Sequence, residues 1–69
     1  MTYSEELEKQ AKRGFEYFMI YIDEHSHLLT EVDEEDGNTV VEVTYWGDDE
    51  EDFIGRYYFN DNGEYLKMD

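Results

Sequence analysis

Two dipeptides, Asp36-Gly37 and Asn62-Gly63, constrain this chain more than anything else in it. Each lies between runs rich in β-branched and aromatic residues, where Asp-Gly and Asn-Gly favour the type I′ turn of a two-residue hairpin. A two-residue loop at the first predicts Val32 opposite Val41, Thr30 opposite Val43 and Leu28 opposite Tyr45. The same loop at the second predicts Phe59 opposite Leu66 and Tyr57 opposite Met68. Both sets are largely apolar and each lies on one face. A slip of one residue would turn them outward, so turn chemistry and hydrophobic pattern specify the same register.

The chain before the hairpins reads as a helix. Thr2, Tyr3, Ser4 and Glu5 fit a capping box, with Thr2 accepting from the Glu5 amide and Glu5 reaching back. Glu5, Glu6 and Glu8 fall in the early turns, where the helix dipole favours acids. Leu7, Ala11, Phe15, Phe18 and Ile22 follow at steps of three and four, the stripe of an amphipathic helix. Gly14 leaves an alternative open. Lys12, Arg13 and Gly14 resemble a helix stop, after which residues 15–22 would be a strand. Because the stripe keeps phase through Gly14, one helix over residues 2–24 is the preferred reading.

These elements predict a single α+β domain spanning residues 1–69. One N-terminal helix packs on a four-stranded antiparallel meander (αββββ), with strands near 27–34, 39–46, 53–60 and 64–68 and a linker at 47–52. The expected core is Leu7, Phe15, Phe18, Ile22, Val41, Val43, Phe53, Tyr57, Phe59 and Leu66. Phe53, Gly55, Tyr57 and Phe59 should face the helix, with Gly55 leaving room for a bulky neighbour. Leu, Ile, Val and Phe number only 15 of 69 residues, close to the ~20% at which chains become disordered. Seven Tyr and one Trp restore the material for burial, and the absence of proline and the periodic spacing favour a fold.

Charge is the main functional clue. Twenty Asp and Glu against five Lys and Arg give a net of −15. Residues 1–22 hold four acids and three bases, a net of −1, and residues 23–69 hold sixteen acids and two bases, a net of −14. The charge therefore belongs to the sheet, its turns and its linker. The predicted register sets Glu31 against Glu42 on the outer face, and like charges so opposed destabilise a sheet. That face should also carry Trp46, Ile54, Tyr58 and Tyr65, with Arg56 and Lys67 as its cations. Acids around exposed aromatics describe a binding face better than a merely soluble one.

Several functions are excluded. Direct binding to nucleic acid needs a basic face, and an anionic bilayer would repel the chain. No run approaches the ~18 apolar residues of a membrane span, and the first residues show no secretory pattern, so a cytoplasmic location is expected. Without cysteine there is no disulfide, thiolate metal site or thiol nucleophile. The chain is too short to wall a deep pocket of ~300–1,000 Å³, and nothing isolates one carboxylate from its neighbours as an acid catalyst would require. No enzyme activity and no cofactor are expected. The acid runs do not fit the EF-hand spacing. His25 and His27 read as complements to the helix C-terminus and not as metal ligands.

The favoured reading is physical mimicry, beside two plainer ones, a solvated acidic surface and a weakly cation-binding accessory domain with no basic partner. Duplex DNA carries one charge per ~1.7 Å of axis, so fifteen charges correspond to about 26 Å of duplex, near the ~28 Å diameter expected of a globule this size. In its size, its charge of −15, its acid runs at 33–36 and 48–52 and its α+β layout, the chain resembles a class of small acidic phage proteins. That class, anti-restriction proteins and many anti-CRISPR proteins, occupies the DNA-binding clefts of host defence machinery. The resemblance implies a non-enzymatic inhibitor that meets the basic DNA-binding surface of a CRISPR effector or restriction enzyme, as a monomer or weak homodimer. The partner-binding residues would be Glu31, Asp33, Glu34, Glu35, Asp36, Glu42, Asp48, Asp49, Glu50, Glu51 and Asp52, with Trp46, Tyr58 and Tyr65 as anchors. The alternative is an immunity or antitoxin protein that neutralises a basic toxin by the same complementarity.

Overall fold

The computed structural model describes residues 3–69. Its elements are α1 (Tyr3–Arg13), α2 (Phe15–Asp23), β1 (Leu28–Glu35), β2 (Asn38–Trp46), β3 (Glu51–Phe59) and β4 (Tyr65–Met68). The strands form one antiparallel sheet in the order β1-β2-β3-β4, so the α+β class holds. Thr2, expected as the N-cap, lies outside the described residues.

The single helix is a correction, and so is its strand alternative. Gly14 adopts φ 137° and ψ 162°, a conformation open to glycine and closed to most side chains, and helix resumes directly after it. Its N–H closes α1 onto the Ala11 carbonyl at 3.0 Å, and its carbonyl accepts the Phe18 N–H at 3.0 Å, which opens α2. In a continuous helix the Phe15 N–H would bond to Ala11. Here it donates instead to the Gly63 carbonyl of the β3–β4 turn, at 2.8 Å. The apolar stripe kept its phase because only one residue is lost from the helical run.

The first hairpin follows its turn. Asp36 and Gly37 both have positive φ, 53° and 81°, as a type I′ turn requires, and the pairs Val32–Val41, Thr30–Val43 and Leu28–Tyr45 form in the predicted register. The second hairpin departs from expectation. The Asn60 N–H donates to the Glu64 carbonyl at 2.9 Å and closes a three-residue loop, with Gly63 at φ 82° in its last position. The Asn60 carboxamide oxygen accepts the Asn62 and Glu64 amides, at 3.0 and 2.9 Å, and holds that loop. Phe59 consequently pairs with Tyr65, Leu66 is left out as a bulge, and the predicted Tyr57–Met68 pair is recovered beyond it.

These bulges revise the core. Leu7, Ala11, Phe18, Ile22, Leu28, Val41, Val43, Tyr57 and Phe59 make one buried cluster, with Phe15 half-buried beside it. Phe18 is the hinge of that packing, its ring centroid 4.8 Å from Tyr57 and 5.1 Å from Phe59. Phe53 and Leu66 are not core but 59% and 48% exposed. Leu66 is the bulge residue just described. Phe53 is turned out by a second bulge, where Val43 pairs with Gly55 but Thr44 pairs with Phe53, leaving Ile54 unmatched and partly buried. Gly55 does make room for a bulky neighbour, since a Cβ there would meet the Met68 methyl at 2.7 Å. The linker is shorter than expected, because Glu51 and Asp52 already belong to β3.

The helices cover one end of the sheet. In β1 only Leu28 is buried, and Val32, on the helix side by register, is 53% exposed. The β1–β2 hairpin thus overhangs its support.

Two stability measurements check this packing. Gly14→Ala would stabilise a continuous helix by ~1 kcal/mol. At φ 137° it should instead cost about 1–3 kcal/mol, read as a lower urea midpoint. Tyr57 is fully buried, its hydroxyl has no hydrogen-bond partner among the described residues, and burial pushes its pKa up to about 12. The unfolded chain releases that proton near pH 10, so the folded state binds more protons between pH 10 and about 12. Stability should therefore be unaffected by this group below pH 10 and fall as pH rises through that window. Tyr57→Phe should remove that alkaline loss and leave stability at pH 8 unchanged or higher, as followed by urea unfolding across pH.

Candidate binding face

The sheet face turned away from the helices is built from three cross-strand rows. Leu29, Thr44 and Phe53 form the first, Glu31, Glu42 and Arg56 the second, and Asp33, Val40, Tyr58 and Lys67 the third. Each row follows from strand alternation, since residues directly opposite one another share a face. None of these residues belongs to the buried cluster beneath the helices.

The second row contains the predicted clash of Glu31 with Glu42, and β3 resolves half of it. Arg56 Nε donates to Glu42 Oε2 at 2.6 Å. That carboxylate raises the Arg56 pKa, chiefly through the hydrogen bond and then through its charge. Glu42 is therefore engaged within the sheet, a correction to its place among the partner-binding acids, while Glu31 stays exposed with no ion pair among the described residues.

The aromatic anchors sort differently from expectation. Trp46 is 52% exposed at the end of β2, beside the acid turn. Tyr58 is on the outer face but only 8% exposed, with the Lys67 ammonium 4.6 Å from its ring centroid. It is a covered residue and not a free anchor. Tyr65 is on the helix side, half-buried against Phe59 with 6.1 Å between ring centroids, because the three-residue loop shifted its register. Burial and the Glu8 carboxylate raise its pKa.

In their place the structure supplies Leu29 and Phe53, 50% and 59% exposed. They flank Thr44 in a shallow depression of about 280 Å³ that Glu31, Glu42 and Glu51 also line. Leu29 was legible, since an inward Leu28 implies an outward Leu29. Phe53 was not, because nothing in the local residue pattern marks the bulge at Ile54.

The acids fall into two groups. Asp33, Glu34, Glu35 and Asp36 occupy the overhanging tip, all exposed. Asp48, Asp49 and Glu50 form the β2–β3 turn, closed by the Gly47 N–H donating to the Glu50 carbonyl at 2.8 Å, and Glu51 and Asp52 continue into β3 opposite Trp46 and Tyr45. β2 separates the groups by nine residues, about 27 Å at ~3.4 Å per step. That exceeds the 20 and 18 Å widths of the molecule, so the groups lie apart along its 35 Å axis. Glu31 stands between them.

The histidines serve the backbone. His25 Nδ1 is 2.7 Å from the Tyr21 carbonyl in the last turn of α2, and His27 Nδ1 is 3.0 Å from the Trp46 carbonyl. Among the described residues no group of three or more His, Asp or Glu is arranged to hold a metal ion, and no helix is long and apolar enough to cross a membrane.

Comparison with protein-family models, with curated proteins and with solved structures finds no match to this chain.

The Arg56–Glu42 pair sets an expectation for the face itself. Arg56→Met should expose the Glu31–Glu42 repulsion and lower the urea midpoint at low ionic strength. The deficit should shrink in 1 M NaCl, where the Debye length is ~3 Å.

Proposed function

We propose that this protein is a non-enzymatic inhibitor that presents an acidic, duplex-like surface to the basic nucleic-acid-binding groove of a defence protein, in the manner of the small phage inhibitors it resembles. One observation carries the reading: the acids extend along the long axis of a 35 × 20 × 18 Å body. A duplex segment 35 Å long carries about 21 charges at ~1.7 Å per charge, against the net of −15 here. The nearly neutral helical layer supports the sheet from behind, and the overhanging tip has no helix to obstruct entry into a groove. Trp46, beside the far acid turn, and Leu29 and Phe53, one row inward from it, supply apolar contact, the kind that dominates affinity, while the charges govern encounter rate and partner choice.

The test begins with a binding protein recovered from a bacterial lysate on the immobilised chain. Its affinity for duplex DNA is then measured with and without this protein. DNA and the inhibitor should exclude one another from one site, and inhibitor binding should weaken as salt rises. The combined variant Asp33→Asn, Glu34→Gln, Glu35→Gln and Asp36→Asn removes four charges from exposed positions and takes the net from −15 to −11. Its association should slow by about tenfold while its circular dichroism stays native. Changing Glu5, Glu6 and Glu8 of α1 to Gln should alter association far less. A recovered partner that binds DNA normally in the presence of saturating inhibitor would refute mimicry.

A further inference from the structure

We infer that the open edge of β1 accepts an added strand from a basic, extended protein segment. The inference concerns the backbone and stands apart from the nucleic-acid reading. In an antiparallel ladder alternate residues exchange hydrogen bonds with the neighbouring strand. The two-residue turn starts that alternation at the Glu35–Asn38 pair, and the Trp46 N–H donating to the His27 carbonyl at 2.7 Å continues it at the far end. Odd-numbered residues of β1 therefore bond to β2. Thr30, Val32 and Glu34 point their N–H and C=O groups away from the sheet, and no described strand pairs with that side. Seven of the eight residues of β1 are exposed, so neither helix caps this edge.

The side chains specify the occupant. Along the outer face β1 presents Leu29, Glu31, Asp33 and Glu35, and along the helix-side face Thr30, an exposed Val32 and, next to the turn, Glu34. A strand laid beside it meets mainly carboxylates on one face and, on the other, the β-branched Thr30 and Val32 followed by the Glu34 carboxylate. The matching segment alternates Lys or Arg with Val, Ile or Thr, because directly opposed residues of opposite charge and of similar branching favour pairing. Such a strand would also cover Val32, an apolar side chain that the helices leave in solvent. A second copy of this chain fits badly. Paired antiparallel about Val32, it would set Glu31 against Asp33 at two places and Leu29 against Glu35, between two bodies each of net charge −15. The same acids that guard the edge against self-pairing thus select a cationic strand.

The probe is a capped decapeptide alternating lysine and valine, with the same sequence N-methylated at every peptide bond as its counterpart. Both carry equal charge, but only the first can donate to a strand edge. With the intact protein, the unmethylated peptide should bind at least tenfold more tightly by titration calorimetry. Hydrogen exchange at the Thr30, Val32 and Glu34 amides should slow at least tenfold on binding, as measured by NMR. Val32→Pro removes one outward donor, leaves the β2 ladder and the charge intact, and should abolish that preference. If circular dichroism shows that this variant does not fold, the methylated peptide still decides. Equal binding of the two peptides would overturn the inference in favour of charge alone. Protection confined to other amides would also overturn it, as would concentration-dependent dimerisation that protects these three amides without peptide. Loss of peptide binding in Val32→Pro with undiminished competition against DNA would separate this edge from the proposed mimicry.

Discussion

A hydrogen bond from the Phe15 N–H to the Gly63 carbonyl, at 2.8 Å, ties the helical layer of this protein to the sheet. It links two backbone irregularities, each built on a glycine with positive φ. On the helix side it takes the donor that a continuous helix would have kept, so α1 and α2 can change direction while Leu7, Ala11, Phe18 and Ile22 all reach the sheet. On the sheet side it anchors the loop that turns Tyr65 inward, and the Phe15 and Phe59 rings meet edge-to-face nearby at 5.4 Å. Buried backbone groups must find partners, and here the unsatisfied donor of a helix start and the free acceptor of a turn satisfy each other. The position of the helices, and hence how much of the sheet stays bare, depends on that exchange.

Bare sheet and negative charge coincide. The helical layer is nearly neutral and covers the core, whereas β1 with its tip, and the far turn with the first two residues of β3, carry ten of the twenty acids. A chain this small has little apolar surface to bury, and concentrating repulsion where no packing occurs keeps it from opposing the core directly. Arg56 and Lys67, the two cations of the sheet, both sit on the outer face, one on Glu42 and the other over Tyr58. They relieve the most crowded part of the face and leave the ends of the molecule unneutralised.

The parts of the fold that were legible are those where a local rule and the hydrophobic pattern act on the same residues. Asp36-Gly37 has no competing interaction, so its turn type and all eight pairs of the first hairpin follow from it. At Asn62-Gly63 the Asn60 side chain intervenes, bonding two amides of the loop and lengthening it by one residue. That intervention moved Tyr65 from the expected binding face to the helix side. Phe53 was misplaced for a comparable reason, since a bulge reverses alternation without changing composition. Gly14 could be read as a stop or as a tolerated interior residue because the bond that decides it, from the Phe15 N–H to the Gly63 carbonyl, spans forty-eight positions of sequence. For the candidate face, the exposed acids of β1 and both turns were legible from charge and register. The occupation of Glu42 and the covering of Tyr58 depended on long side chains reaching across strands.

The overhang of the β1–β2 hairpin separates two demands that usually compete within one domain. Side chains at its tip touch neither helix layer nor core, so the sequence there can drift with small thermodynamic consequence so long as the turn and the alternation survive. The surface chemistry of the tip can then change residue by residue while folding is left alone. For a protein whose partner changes under selection, such a projecting hairpin is an adjustable contact on a fixed frame.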